Sequence, residues 1–476
     1  MTLHRTADRI PVFSSRTALR ALLCLGLAAC DPSSPTPSGG GGGTGDGGLA
    51  GLDGSTSGED AATASPTDAS MPLDGGPSMA SPCAPLPPPT GTVVNVDPSM
   101  ATELPALVAA ASPGTTFLLA DGTYRMTGSE SQRRIQILAD GVTLRSASGR
   151  ATQVILDGEY TTAEVVSVQA SNVTLAELTV MRAVDHCVHV TTREGGADVT
   201  GFTMHGAGLI DCGEQFLKVN PNGARSAFVD RGTVSCSHFE LTDAGRPNVE
   251  RAVGGCYTGG IDAHATRDWV VRDNEFRGIY CAGEGLAEHA IHFWKGARDT
   301  VVERNRIVDC ARGIGLGLGE SGETRTYADD PYPGLFVGHY GGILRNNILL
   351  ATVPWYDTGI ELQQARDALV VHNTILETAG ATGSFSSIDT RFDNSITTVR
   401  NNITRRITVR SGTSTADHNL EGATASLFVA ADAGDLHLAE SAAAAIDQGI
   451  PVAEATDDVD REPRSDGAPD LGADER

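Results

Sequence analysis

Short β-branched runs that end in asparagine recur along the chain: Val270-Val271-Arg272-Asp273-Asn274, Val301-Val302-Glu303-Arg304-Asn305, Ile343-Leu344-Arg345-Asn346-Asn347, Leu369-Val370-Val371-His372-Asn373 and Thr398-Val399-Arg400-Asn401-Asn402. A fainter copy ends at Asn419, so the asparagines stand 31, 42, 26, 29 and 17 residues apart. A repeat of roughly 20–30 residues built on such runs predicts a solenoid whose coils stack on one another. The asparagine at each turn is expected to take the left-handed backbone that tight turns require.

A second strand recurs upstream of each asparagine turn. Its inward positions read Val188, Leu217, Ile261, Ile291, Ile314, Ile360 and Ile388. Strand alternation then sends two columns outward. One holds His189, Lys218, Asp262, His292, Gly315, Glu361 and Asp389; the other, two residues on, holds Thr191, Asn220, His264, Trp294, Gly317, Gln363 and Arg391. Upstream, Val142-Thr143-Leu144, Val154-Ile155-Leu156 and Val173-Thr174-Leu175 continue the strands. Thr102 is expected to cap a short helix that turns Leu104, Leu107 and Val108 to one side and covers the open first coil; Ser112-Pro113-Gly114 ends it.

The helix leads into Gly114-Thr115-Thr116-Phe117-Leu118-Leu119-Ala120-Asp121-Gly122-Thr123-Tyr124. Together with the asparagine repeats and the tail, this resembles the pectate-lyase-like superfamily of right-handed parallel β-helix proteins. The tail runs Ser441-Ala442-Ala443-Ala444-Ala445-Ile446-Asp447-Gln448-Gly449, Asp458-Val459-Asp460-Arg461-Glu462-Pro463-Arg464 and Pro469-Asp470-Leu471-Gly472-Ala473-Asp474-Glu475. It looks like a C-terminal segment of secreted bacterial β-helix proteins. The resemblance covers residues 90 to 476 and implies an all-β, right-handed parallel β-helix over 89–425, with the N-terminal helix as one cap and 426–476 as a capping tail. Such proteins include polysaccharide lyases, glycoside hydrolases and others, so fold does not choose the reaction. Gly260-Ile261-Asp262-Ala263-His264 is similar to the Trp-Ile-Asp-His element of pectate lyases, without the Trp and with one extra residue before the His. The Asn-Thr-Asp, Gly-His-Gly and Arg-Ile-Lys signatures of polygalacturonases are absent from the sequence.

Composition narrows the partners. The 476-residue chain carries a formal net charge of −25, which disfavours nucleic acid and anionic membrane surfaces. Aromatic residues make up 5 %, which suits a thin core lined by Val, Ile and Leu. Only Lys218 and Lys295 are lysines; every other basic residue is arginine or histidine. At the N-terminus, Arg5, Arg9, Arg16 and Arg20 precede the apolar run Ala21 to Leu27, too short to span a bilayer. Residues 1–29 are expected to be a signal peptide. Leu27-Ala28-Ala29-Cys30 resembles a bacterial lipobox, which implies lipidation of Cys30, export, and anchoring to a membrane of the cell envelope. Residues 30–88, rich in Gly, Ser and Pro, read as a flexible tether.

Beyond the signal segment and Cys30 the chain holds Cys83, Cys187, Cys212, Cys236, Cys256, Cys281 and Cys310. Two pairs, Cys187 with Cys212 and Cys256 with Cys281, are each 25 residues apart, about one coil. That spacing suits either disulfides between adjacent coils or a stack of small apolar thiols. No CxxC occurs.

Lys218, Asp262 and His292 fall on consecutive coils and are candidate proton-handling groups. Trp294 beside Gly315, Gly317 and Gly319 predicts an open patch for the apolar face of a sugar ring. Glu361 and Asp389 are a second candidate catalytic pair, whereas Asp262 and Glu361, three coils and roughly 14 Å apart, are too distant for the glycosidase spacing of about 5–9.5 Å. His264, Gln363 and Arg391 complete the expected substrate-binding set. From Ile314 to Ile360 is 46 residues, so an insertion at 320–341, with Tyr327, Asp329, Asp330, Tyr332 and His339, is expected to wall the groove or to form a plain overhang.

The expected function is a monomeric, surface-tethered polysaccharide-interacting protein, chiefly a lyase on uronic-acid glycans. His292 or Lys218 would be the base, and Arg391 or a Ca²⁺ held by Asp262 would neutralise the sugar carboxylate. A glycoside hydrolase using Glu361 and Asp389 and a non-catalytic envelope adhesin are the alternatives.

Overall fold

A computed structural model describes residues 83–476 apart from 284, 321, 382, 383, 411 and 466. The signal segment, Cys30 and the tether up to residue 82 lie outside the described residues.

The described chain is a right-handed parallel β-helix with three parallel sheets running along it, of 14, 10 and 11 strands. The asparagine turns close one sheet, here the ladder sheet, which includes Val270–Arg272, Val301–Glu303 and Ile343–Arg345. The site sheet stacks, in order, Glu164–Val168, His186–Thr191, Gln215–Asn220, Gly259–His264, His289–Trp294, Arg312–Gly317, Thr358–Gln363 and Ser386–Arg391. Its register pairs Leu217 with Ile261, Ile291 and Ile314 with their successors, and so on to Ile388. All these aliphatic side chains are fully buried in one continuous core. Burying them fixes the phase, because a one-residue slip would turn each to solvent.

The asparagines form an unbroken ladder, buried in all but its last member. Each Nδ2 donates to the Oδ1 of the next, from Asn274 through Asn305, Asn347, Asn373 and Asn402 to Asn419, at 2.9 to 3.0 Å. The left-handed residue is not the asparagine, as the sequence suggested, but the one before it: Asp273, Arg304, Asn346, His372, Asn401 and His418 have φ between 51° and 58°. That preceding residue makes the turn and leaves the asparagine amide pointing along the stack, where every donor and acceptor finds a partner.

The first coil is covered by the helix Leu104–Ala109. Leu104 and Val108 enter the core as expected, but Leu107 is 37 % exposed and Thr102 does not cap: the cap position is Glu103, with no side-chain bond. The tether expected to run to residue 88 ends earlier. Cys83 is disulfide-bonded to Cys236, and Arg145 donates to the carbonyls of Leu86 and Pro87. Cys187–Cys212 and Cys256–Cys281 are disulfides as well, and Cys310 is a buried free thiol.

The C-terminal tail straps the flank. Arg461 binds Asp273 at 2.7 Å, Asp457 accepts from Asn346, and Gly472 donates to Asn401. Its apolar residues, including Ala442, Ala445 and Leu471, pack against Ile348, Leu350, Leu376 and Ile403 of the third sheet in a second core.

Candidate functional site

Both expected columns exist. Lys218 pairs with Asp262, Asp262 with His292, His292 with Gly315, Gly315 with Glu361, and Glu361 with Asp389. His264 pairs with Trp294, Gly317 with Gln363, and Gln363 with Arg391. At the head of the columns His189 bridges Glu164, at 2.6 Å, and Asn220, at 2.5 Å.

Asp262 is the centre of the cluster. Its Oδ2 is ion-paired with Lys218 and lies 3.0 Å from His264 Nε2, while its Oδ1 accepts the indole N–H of Trp294 at 2.6 Å. Lys218 Nζ is also 3.1 Å from His264 Nε2. Burial raises the cost of charge on Asp262, but His264 and Lys218 beside it hold its carboxyl well below the usual carboxylate range. Burial, aided by the charge of Lys218, pushes His264 down to about 4, so this imidazole is neutral at neutral pH. A calcium site on Asp262 does not fit, since cations and N–H donors already occupy both of its oxygens and calcium takes six to eight oxygen ligands.

Trp294 lies outside the core, as expected, and its indole stacks parallel to His292 at 5.4 Å. Lys295 Nζ stands 4.8 Å from the indole centroid. Burial, with Arg225 and Lys218 nearby, lowers the Lys295 pKa. Of the only two lysines in the chain, Lys295 thus stands over the indole and Lys218 is tied to the neighbouring His264 and Asp262. Lys295 was missed because it follows the strand, in a left-handed turn at φ 59°.

Several expectations change. His292 is 3 % exposed, covered by Trp294 on one side and by His289 at 4.4 Å, and its Nε2 donates to the Gly317 carbonyl. It is out of reach of a polymer and does not suit the role of base. The glycines do not form an open patch. A Cβ on Gly315 would come within 2.9 Å of the rings of His289 and His292, and one on Gly317 within 1.9 Å of the Gln363 carbonyl. Gly315 is small because two imidazoles lie over it. Glu361 and Asp389 are 4 % and 2 % exposed. Glu361 is held by His289 at 3.1 Å and Arg391 at 2.6 Å; Asp389 is held by Arg410 at 2.9 Å. Burial notwithstanding, His289, Arg312 and Arg391 keep Glu361 ionised, whereas burial raises Asp389. Two arginine-locked, buried carboxylates do not offer a hydrolase acid and base. Gln363 accepts from the Gly319 amide at 3.0 Å.

His289 was not expected at the site, because alternation assigns it to the side of Ile291. The chain bends instead: Ala290 and Ile291 both enter the core, which turns His289 outward to Glu361. The insertion borders the same end of the strands. Arg325 pairs with Asp230 at 2.6 Å, its amide bonds the Lys295 carbonyl, and Tyr327 donates to Gly296 at 2.7 Å. Asp329 accepts from Arg298, Asp330 accepts from the Tyr332 amide, and the Tyr332 hydroxyl donates to Asp367. His339 is fully buried against Thr300 and is structural. On the opposite side, Trp355 stacks on Tyr280 at 6.4 Å and is 38 % exposed. A concavity between the N-terminal helix and the first coils holds none of these groups.

No known family's sequence profile matches the chain, and no curated protein matches it by sequence. Solved structures do match. Pectate lyase Pel9A aligns at TM-score 0.52 and 16 % identity, over 81 % of this chain and 97 % of its own. An alginate lyase from Paenibacillus sp. str. FPU-7 aligns at 0.47 and 15 %, over 69 % and 99 %. The polygalacturonase from Erwinia carotovora ssp. carotovora aligns at 0.39 and 11 %, over 71 % and 95 %. The chain shares the parallel β-helix fold of pectate lyase Pel9A.

Proposed function

We infer that this protein grips an acidic polysaccharide along the site sheet and cleaves it by β-elimination. One observation carries the reading: in a chain of net charge −25, the only two lysines stand at one cluster, Lys295 over the partly exposed Trp294 and Lys218 against the neutral His264. A cationic slot in an acidic surface selects a polyanion over a neutral glycan. An indole edge gives a pyranose ring an apolar platform. The fold shared with pectate lyase Pel9A is compatible with this chemistry.

In the proposed step, Lys218 and Lys295 neutralise the uronate carboxylate and so acidify the proton next to it. His264 accepts that proton, the C–H electron pair becomes the new double bond, and the glycosidic C–O bond breaks with its electrons on the leaving oxygen. Asp262 holds Lys218, His264 and Trp294 in place and is a positioning residue. Export and lipid anchoring at Cys30 belong to the same proposal, as a tether that holds the enzyme at the cell envelope.

The second reading is a glycan-binding envelope protein without catalysis. It is favoured by the way Lys218, Asp262, His264 and Trp294 already satisfy one another. Incubating the protein with polygalacturonate, alginate and a neutral glucan separates the two. Growth of ultraviolet absorbance from an unsaturated product, abolished in His264→Ala, supports the lyase. Retention on polyuronate without product supports the binder, and indifference to all three polymers overturns both.

A further inference from the structure

His289 has no part in the proposed elimination, yet it is built with care. It is 1 % exposed, and its Nδ1 has no hydrogen-bond partner among the described residues. A buried orphan of this kind is costly unless something ligates it. Its Nε2 meets Glu361 Oε2 at 3.1 Å, and Arg391 anchors the other oxygen of Glu361 at 2.6 Å. Three residues on, His292 Nε2 donates to the Gly317 carbonyl at 2.9 Å. Its Nδ1 faces Asp262 Oδ1 at 3.8 Å, too far for a hydrogen bond. In the neutral form each ring therefore carries its proton on Nε2 and its lone pair on Nδ1.

A carboxylate or carbonyl that holds the far nitrogen of an imidazole is the arrangement that orients metal-binding histidines. The neighbouring carboxylate completes a set: one ligating atom from each of Glu288, His289 and His292 lies within 4.8 Å of the others. Two imidazoles and one carboxylate suit zinc or a similar divalent transition metal, whereas calcium and magnesium favour oxygen. The C-terminal group of His437, Asp460 and Asp474 contrasts with this one. There both ring nitrogens are already taken, by Asp435 at 2.5 Å and Asp460 at 2.7 Å.

We propose that Glu288, His289 and His292 form a zinc-class metal site, with both histidines ligating through Nδ1. Gly315 is the residue that makes room for it, since any side chain there would displace both rings. Three protein ligands leave a position for water or for an oxygen of a bound molecule. The carboxylates of Asp262 and Glu361 flank the rings and favour a cation, while the nearby Arg312 is drawn to Asp357 at 3.7 Å.

The test uses the whole oxidised protein, purified without a histidine tag, stripped with chelator and then titrated with Zn²⁺ by calorimetry. Bound zinc is counted by mass spectrometry after gel filtration. No glycan is present, so the result does not depend on the lyase reading. The expected result is one zinc per chain, with affinity at least about tenfold weaker in Glu288→Gln and in His289→Gln and unchanged in Asp474→Asn. Glu288 is only half-buried, so its variant serves if His289→Gln does not fold, with circular dichroism as the check on folding. Failure of the wild type to hold zinc overturns the proposal. So does full affinity in folded Glu288→Gln, or a loss confined to Asp474→Asn.

Discussion

The indole N–H of Trp294 reaches back one coil to Asp262 Oδ1, at 2.6 Å, while Lys218 approaches the other oxygen of the same carboxylate from the preceding coil. Three successive coils are joined through one buried side chain. The pair is a point of stability as well as of chemistry. Lys218→Met strands Asp262 in a site where its side chain is 8 % exposed. Removing one partner of a buried pair costs about 3–5 kcal/mol, and the donors that remain place this case near 3 kcal/mol. The double variant Lys218→Met/Asp262→Leu is expected to recover most of that loss. Chemical denaturation of the four proteins of this cycle measures it, and a strictly additive result would refute the coupling.

The asparagine ladder predicts a graded response along the stack. Asn347 is fully buried and bonded on both sides, to Asn305 and to Asn373. Asn347→Ala removes the acceptor of the buried Asn305 backbone amide, at about 1–3 kcal/mol, while Asn373 Oδ1 keeps the backbone amide of residue 347 and Asn305 Nδ2 keeps the Val271 and Glu303 carbonyls. Asn419 closes the ladder and lies nearer solvent. Its alanine variant is expected to lower the melting temperature by less than half as much.

Acid should weaken the fold before base does. Burial holds His186, His289, His339 and His372 down to about 3 and His264 to about 4. Each lies below the ordinary imidazole value of 6.5, so between pH 6.5 and 3 the unfolded chain binds protons that the folded chain refuses. Their contribution to stability is complete above pH 6.5 and is lost as pH falls through the folded values. Stability measured by denaturant is expected to drop steadily from pH 6.5 to 4, with a shallower slope in His339→Gln.

The C-terminal strap has the opposite sensitivity. Hydrogen bonds to Asp460 and Asp435 raise His437 to about 10, and its contribution is therefore present below pH 6.5 and lost as pH climbs toward 10. Burial raises Asp474 to about 6, so its own contribution is lost as pH rises from the ordinary carboxyl range to about 6, below the window in which His437 acts. Limited proteolysis of the tail is expected to quicken from pH 7 to 10 in the wild type. His437→Gln should be cleaved at a rate that changes little over this range.

Cys83–Cys236 closes a segment of 153 residues and pins the start of the described chain to the side of the coil. In the loop-entropy picture its loss costs about 4–5 kcal/mol, against about 3 for each 25-residue disulfide. Cys236→Ser is expected to release residues 83–88 to protease while the coil itself stays resistant. Protection of that segment without the disulfide would show that the Arg145 contacts suffice.

The sequence by itself determined the coil period, the inward aliphatic line from Val188 to Ile388 and the two outward columns. The reason is that alternation and the burial of one face leave a single phase for every strand. Pairing of Cys187 with Cys212 was legible in the same way, as one of two readings of a one-coil spacing. Tertiary structure decided what alternation cannot express. The bend at Ala290 brought His289 out, and the rings above Gly315 closed what looked like an open patch. Arginines from later coils sealed Glu361 and Asp389, and a turn beyond the strand delivered Lys295 to Trp294. An outward direction is a property of one strand, whereas exposure depends on which side chains from neighbouring coils lie over it, and those neighbours are set only when the coils stack.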